Sequence, residues 1–269
     1  MDPGLVVAIL LAVAFAVTNG LHDASNAIAT LVATRAATPP AQAIVLASVF
    51  NLVGPLLIGG AVADTIGGIV EVASSAATEV IACGLAAAVS WNIATWALGL
   101  PSSSGHALVG RLVGAALVEG GVHTVNWGGF DGWRPVGVWG VLIALALSRV
   151  LRGLCALAVI RLLRRGARRA TRAWRAPVRA GQWVMSSGLA FSHGANDAQK
   201  AVGVIAALLL ADGRIASLSA VPIWAPVACA TGLPRAPRSA AGRSSAPSAA
   251  ASTASSRSRV SRARRLRPA

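Results

Sequence analysis

Two eight-residue stretches place clusters of polar side chains next to apolar segments of this chain. Residues 20–27 are Gly-Leu-His-Asp-Ala-Ser-Asn-Ala, and residues 194–201 are Gly-Ala-Asn-Asp-Ala-Gln-Lys-Ala. Aligned at an offset of 174 residues, they share a glycine, an aspartate and two alanines at the same positions. We call these stretches the first and second signatures. Acidic and amide groups at membrane depth are costly, which makes them functional candidates.

The chemistry of the first signature suits a cation. Asp23 and Asn26 are three residues apart, so on a helix they share a face, and carboxylate and amide oxygens are ligands for a hard cation such as sodium. Apolar segments broken by glycine and polar residues at matching places in two halves are typical of the binding site of a secondary transporter. We therefore expect a broken helix at each signature. The alternative is a pair of buried polar patches that only join helices.

A second kind of site is predicted at residues 101–106, Pro-Ser-Ser-Ser-Gly-His, which we call the serine turn. Hydroxyl groups and free backbone N–H groups at the start of a helix form a good anion site. The alternative is an ordinary N-cap turn, in which serine is common. Because Arg111 is the nearest arginine in the sequence, we expect an anion to be bound there by neutral donors. His106 is either a donor at the site or a buried core histidine.

The elements that must position these residues are membrane helices. The chain has 269 residues, of which 55% are hydrophobic and only 12% charged, and its mean hydropathy is +0.66. These values predict an all-α polytopic membrane protein. Residues 1–160 form a first transmembrane repeat, with spans at about 5–28, 41–63 and 80–98, a re-entrant hairpin at 101–118, and a span at 136–163. Asn92, in the third span, is predicted to bond to a neighbouring helix.

The basic residues predict orientation rather than nucleic-acid binding. Eight arginines lie in residues 161–179 and nine more in residues 235–267, out of a net charge of +15. Residues 161–180 are predicted to be a cytoplasmic loop, which we call the arginine loop, with an interfacial helix as the alternative for part of it. Three spans between the signatures, with the hairpin adding an even number of crossings, place the N-terminus on the side of this loop. If the serine turn and its helix instead cross once, the 136–163 stretch must hold a break to keep the number of crossings odd, so the side of the N-terminus stays open.

The second half is predicted to be incomplete. Residues 181–231 begin a second repeat, whereas residues 232–269 are rich in Ala, Ser, Arg and Pro and are expected to be disordered. The offset of 174 places a second serine turn at about position 275, after Ala269. We interpret this as a C-terminal half lost to a frame change. A regulatory or nucleic-acid-binding tail is the alternative.

The chain resembles the inorganic phosphate transporter (Pit) family. The resemblance covers about residues 5–231 and rests on the paired signatures, the serine turn, and residues 191–200, Phe-Ser-His-Gly-Ala-Asn-Asp-Ala-Gln-Lys. It implies an inverted-repeat secondary transporter in the cell membrane, not an enzyme, with a discontinuous hairpin in each half. Its implied activity is low-affinity-type phosphate transport coupled to sodium or to protons, without a cofactor. The implied partners are inorganic phosphate, membrane lipid and a second copy of the chain, and not nucleic acid.

The resemblance also assigns site residues by motif. The coupling cation, sodium if it is a metal ion, is assigned to Asp23, Asn26 and Asp197. Phosphate is assigned to Ser102, Ser103, Ser104, Asn196, Gln199 and Lys200. Lys200 stands at the repeat position of Asn26, where it either offsets the charge of phosphate or replaces a second cation. Sulfate or another tetrahedral oxyanion is the alternative substrate, and a membrane protein without transport activity is the alternative function.

Overall fold

The described part of the chain folds almost entirely into α-helices. A computed structural model describes residues 2–57, 65–66, 68–70, 74–100, 102–168 and 171–231, with side chains at all of these except 21–26, 74, 75, 131, 134, 172 and 231. We number the described helices α1 (Pro3–Ala33), α2 (Ala41–Leu57), α3 (Ser74–Leu98), α4 (Ser104–Gly120), α5 (Gly137–Ala167), α6 (Arg175–Ala211) and α7 (Trp224–Thr231). Short 3₁₀ turns lie at Gly121–Thr124 and Arg172–Trp174, and a two-residue hairpin pairs β1 (Phe130–Asp131) with β2 (Arg134–Pro135). The prediction of an all-α membrane fold is confirmed, and the predicted tail at 232–269 lies outside the described residues.

Three described helices have segments long and apolar enough to cross a bilayer. They are Pro3–Gly20 in α1, Ala76–Leu98 in α3 and Gly137–Ala167 in α5, and α2 is a shorter apolar helix. A helix needs about 20 apolar residues to cross the hydrocarbon core. The chain is therefore a multi-pass membrane protein.

The helices do not break at the signatures, which corrects our expectation. Helix α1 passes through the first signature and ends at Ala33, and α6 passes through the second signature and ends at Ala211. In α6 the polar side chains bond to one another at spacings of three and four residues, as described below. The pairing of Asp197 with Lys200 compensates the buried carboxylate inside a regular helix, so no break is needed to expose it.

The signature helices are antiparallel. Thr34, just after the end of α1, donates its hydroxyl to Gln182 Oε1 in the first third of α6 at 3.1 Å. Ala27 and Leu31 of α1 share a core cluster with Trp183 and Ala190 of α6. We call the end of the bundle where α1 ends and α6 begins the arginine end, because the arginine loop leads into it. The N-terminus lies at the opposite end. The first of the two counts of membrane crossings, which placed the N-terminus on the side of the arginine loop, was therefore wrong.

The count was wrong because α3 and α4 are themselves the two arms of the hairpin. Helix α3 also starts at Ser74, earlier than predicted. It ends in a turn where Gly99 has a φ of +66° and Leu100 N–H bonds back to the Thr95 carbonyl at 2.9 Å. This closing pattern favours glycine, which adopts positive φ without strain. Four described helices therefore separate the signature helices, and an even number of crossings gives them opposite directions.

The tip of this hairpin stops partway along the bundle. The starts of α1 and α3 are neighbours, since a Cβ at Gly4 would lie 3.9 Å from Thr78 Cγ2. Further along, the Asn92 amide donates to Thr18 Oγ1 at 3.3 Å, which confirms the predicted cross-helix bond. From this bond α1 runs about 22 Å to its end at Ala33, whereas α3 runs only about 9 Å to Leu98. The tip therefore stops about 13 Å short of the arginine end, as a re-entrant hairpin does.

Helices α2 and α6 cross at two glycines with their backbones in contact. A Cβ at Gly54 would meet the backbone of Phe191 and Ala195, and a Cβ at Gly194 would meet the backbone of Asn51. Small residues at helix crossings allow this close approach in membranes. Helix α5, in contrast, is packed against the rest of the described bundle at its start alone: its buried residues are Gly137, Val138 and Gly140, in the first turn.

Candidate functional site

The second signature holds a buried carboxylate between a lysine and a histidine. The side chain of Asp197 is 4% exposed; its Oδ1 lies 2.7 Å from Lys200 Nζ, and its Oδ2 lies 3.0 Å from His193 Nε2. The three residues are spaced at i, i+4 and i+7 along α6, so they follow one face of the helix. Burying a carboxylate is costly unless it is paired, and these partners supply the compensation.

Lys200 connects this signature to the serine turn. A Cβ at Gly105 would lie 3.6 Å from Lys200 Cε and 3.7 Å from Lys200 Nζ, so the end of the lysine side chain passes directly beside the first turn of α4. Helix α4 is 17 residues long and points its N-terminus, the positive end of its dipole, at the same place. The structure thus joins a cation from α6 to the hydroxyl groups of the hairpin tip.

Two serines of the turn accept hydrogen bonds from protein N–H groups. Trp91 Nε1 donates to Ser102 Oγ at 2.8 Å. Ser103 is the N-cap of α4, and its Oγ accepts from the His106 backbone N–H at 3.5 Å and lies 2.6 Å from His106 Nδ1. A hydroxyl that accepts from the protein keeps its own proton free to donate. Ser104, the third hydroxyl, is buried.

The expectation that the serine turn is surrounded only by neutral donors is wrong. Besides Lys200, the guanidinium of Arg149 in α5 lies 3.2 Å from His106 Nε2. Arg111 stacks over the ring of Trp91, with its Cζ 4.9 Å from the ring centroid. Positive charge at a site of hydroxyl and N–H donors favours an anion. His106, for which two roles were open, is exposed and bonded to the turn rather than buried in the core.

The other predicted residues are placed differently. Asn196 is exposed and bonds to the Ser192 carbonyl of its own helix at 2.8 Å, and Gln199 is buried. The side chains of Asp23 and Asn26 lie outside the described residues. Asp197, predicted to bind the cation, has its two oxygens beside Lys200 and His193. A cation there would have to displace one of these partners.

Sequence reasoning did not assign Trp91 or Arg149 to the site. Arg149 gave one signal, since an arginine in the middle of an apolar span needs a polar partner. Lys200 gave another, because it is the only lysine of the chain beside 23 arginines. Trp91 carried no signal in the sequence, because tryptophan is common in membrane helices for other reasons.

The fold and the site define the class of protein. Antiparallel helices that each carry a signature, with a re-entrant hairpin whose polar tip meets one of them, are features of a secondary transporter. The family follows from comparison: a model described as "Phosphate transporter family" matches residues 19–180 and 165–234, and the chain belongs to this family. Its members are membrane transporters and not enzymes.

Curated relatives agree with this assignment. A protein of Rhizobium meliloti is 39% identical over 84% of this chain and 66% of its own length, and one of Bacillus subtilis is 35% identical over 87% and 69%. Both carry the name "Probable low-affinity inorganic phosphate transporter". One from Mycobacterium bovis, with the same name, is 36% identical over 85% of this chain and 53% of its own length. The chain thus spans about half to two thirds of the length of these relatives.

A solved structure has the same fold. It bears the name "The sodium-dependent phosphate transporter", with a TM-score of 0.67 and 21% identity over 86% of this chain and 74% of that one. At this identity the likeness shows the fold alone.

Proposed function

We propose that this chain binds inorganic phosphate at the hairpin tip and takes part in moving it across the membrane with a coupling cation. The observation that carries the proposal is the meeting of Lys200 with the serine turn. It provides a half-buried ammonium, serine hydroxyls with free protons, and a helix N-terminus in one place. Membership of the phosphate transporter family and the names of the curated relatives support phosphate as the anion.

The proposal assigns a different task to each signature. In the second signature Lys200 neutralises Asp197 and faces the anion, so the lysine stands where the first signature has Asn26. In the first signature no lysine is present, and Asp23 with Asn26 provides the oxygens for a sodium ion or a carboxyl group that carries the coupled proton. Coupling through the first signature alone follows from this asymmetry. With the arginine end facing the cytoplasm, the N-terminus lies outside.

The test is phosphate binding and uptake by serine variants. Ser102→Ala and Ser103→Ala each remove a donor from the anion, so we expect the apparent phosphate constant to rise about 5- to 100-fold, equivalent to about 1–3 kcal/mol. Ser48→Ala is the matched control, because within the described residues Ser48 bonds to the Ile44 carbonyl of its own helix. Labelled phosphate is measured in binding to the purified protein and in uptake by proteoliposomes. Unchanged constants in both variants would place the anion site elsewhere.

The same vesicles separate the remaining alternatives. Full competition by sulfate at equal concentration would change the substrate to sulfate. Replacing external sodium by potassium stops uptake if sodium is coupled, whereas a protonophore stops it if protons are coupled. Phosphate binding without uptake would identify the chain as a membrane protein with a phosphate site but no transport activity of its own.

A further inference from the structure

Arg149 has a partner that its neighbour Arg152 lacks. Both arginines lie in the apolar helix α5, where a charged side chain is expensive without a polar contact. Arg152 folds onto its own helix, donating to the Ser148 carbonyl at 3.0 Å and to Ser148 Oγ at 2.7 Å. Arg149 instead reaches across to α4, where its NH2 group lies 3.2 Å from His106 Nε2. Within the described residues no carboxylate is paired with Arg149.

The contact with Arg149 fixes the proton of His106. A guanidinium group can only donate, so Nε2 of the imidazole must accept, and the ring proton is on Nδ1. That Nδ1–H then donates to Ser103 Oγ at 2.6 Å. Ser103 Oγ also accepts the backbone N–H of His106 as the N-cap of α4. With both acceptor positions of its oxygen used, the hydroxyl of Ser103 is left as a donor.

We propose that Arg149 and His106 are positioning residues of the anion site: together they hold Ser103 as a hydrogen-bond donor, and Arg149 adds a positive charge beside it. This inference rests on the proposed function, in which the serine turn binds phosphate. Without Arg149, His106 could place its proton on Nε2, and Ser103 would then donate to Nδ1 rather than to the anion. Neither residue needs to touch phosphate for this effect.

The first measurement reads the histidine directly and needs no phosphate. In ¹⁵N-histidine spectra of the full chain in nanodiscs, we expect a neutral His106 with its proton on Nδ1. The signal is assigned by its loss in His106→Phe. Arg149→Gln should shift it toward the Nε2–H form, and the matched control Arg152→Gln should leave it unchanged. An Nε2–H or doubly protonated His106 in the parent protein would overturn the inference.

The second measurement is the phosphate constant of single and double variants. Arg149→Gln and His106→Phe should each raise it at least about fivefold, with Arg149→Lys falling between parent and Gln, and Arg152→Gln should stay within about twofold of the parent. In a Ser103→Ala background, His106→Phe should have no further effect. A full effect in that background would show that His106 acts independently of Ser103, which would refute the proposal that it positions the Ser103 hydroxyl. If the parent binds no phosphate, the proposed function fails, and the spectra alone decide whether Arg149 sets the tautomer.

Discussion

Replacing Lys200 by methionine tests how the second signature is held together. Methionine keeps most of the length of the side chain but removes the ammonium group 2.7 Å from Asp197 Oδ1. Removing one partner of a buried ion pair costs about 3–5 kcal/mol, because the other charge stays buried without compensation. His193 remains 3.0 Å from Asp197 and can take over part of this role. We therefore expect a loss near the lower value, about 3 kcal/mol.

Thermal unfolding of the purified protein measures this loss. For a chain of this size about 1 kcal/mol corresponds to 2–4 °C, so Lys200→Met should lower the melting temperature by on the order of 10 °C. The double variant Lys200→Met with Asp197→Asn removes both charges and should recover most of the loss, since the cost comes from the unpaired carboxylate. Phosphate binding should stay impaired in the double variant, because the cation beside the serine turn is still missing.

The matched control is Arg214→Met. Arg214 pairs with Asp212 at the end of α6, where both side chains are partly exposed, and surface pairs contribute about 0–1 kcal/mol. Its melting temperature should stay within a few degrees of the parent. If Lys200→Met also melts like the parent, or if Asp197→Asn does not restore it, Asp197 does not depend on Lys200 and the description of this pair is wrong.

Two further predictions concern the neighbouring residues. Gly194→Ala should be strongly destabilising, because its Cβ would meet the backbone of Asn51. Gly188→Ala on the same helix is the control: its Cβ meets nothing within 4 Å, so it should be neutral or slightly stabilising. Equal melting temperatures of the two variants would contradict the backbone contact between α2 and α6. Lys200→Asn copies the Asp-Asn spacing of the first signature and should create a second cation site, so added sodium, but not added potassium, should raise its melting temperature relative to that of the parent. A sodium effect equal in both proteins would count against that assignment.

Several features of the fold could be predicted from the sequence because they depend on local pattern. The apolar runs predicted membrane helices, and the repeated Gly and Asp predicted two related helices. Asn92 was predicted to bond across helices because an amide inside a span needs a partner, and it bonds to Thr18. The helix breaks were predicted wrongly, because the sequence does not reveal that Asp197 pairs with Lys200 and lies beside His193 within one continuous helix.

The surroundings of the serine turn could not be predicted, because its partners are distant in the sequence. Lys200 is 95 residues from Gly105, and Arg149 is 43 residues from His106. Counting only nearby residues left Arg111 as the sole arginine and led to the expectation of neutral donors. Which long side chains reach a hairpin tip depends on how α4, α5 and α6 pack together, and spacing along the chain does not contain that information.

The crossing of α2 and α6 at Gly54 and Gly194 has a mechanical consequence. If α6 tilts relative to α2, this close backbone contact is the pivot of the movement. From Gly194, Lys200 lies about 9 Å along one arm of α6 and Arg175 about 28 Å along the other. A tilt of about 10° would move Lys200 by about 1.6 Å and Arg175 by about 5 Å in the opposite direction. The unequal arms would turn a small displacement at the hairpin tip into a threefold larger one at the arginine end.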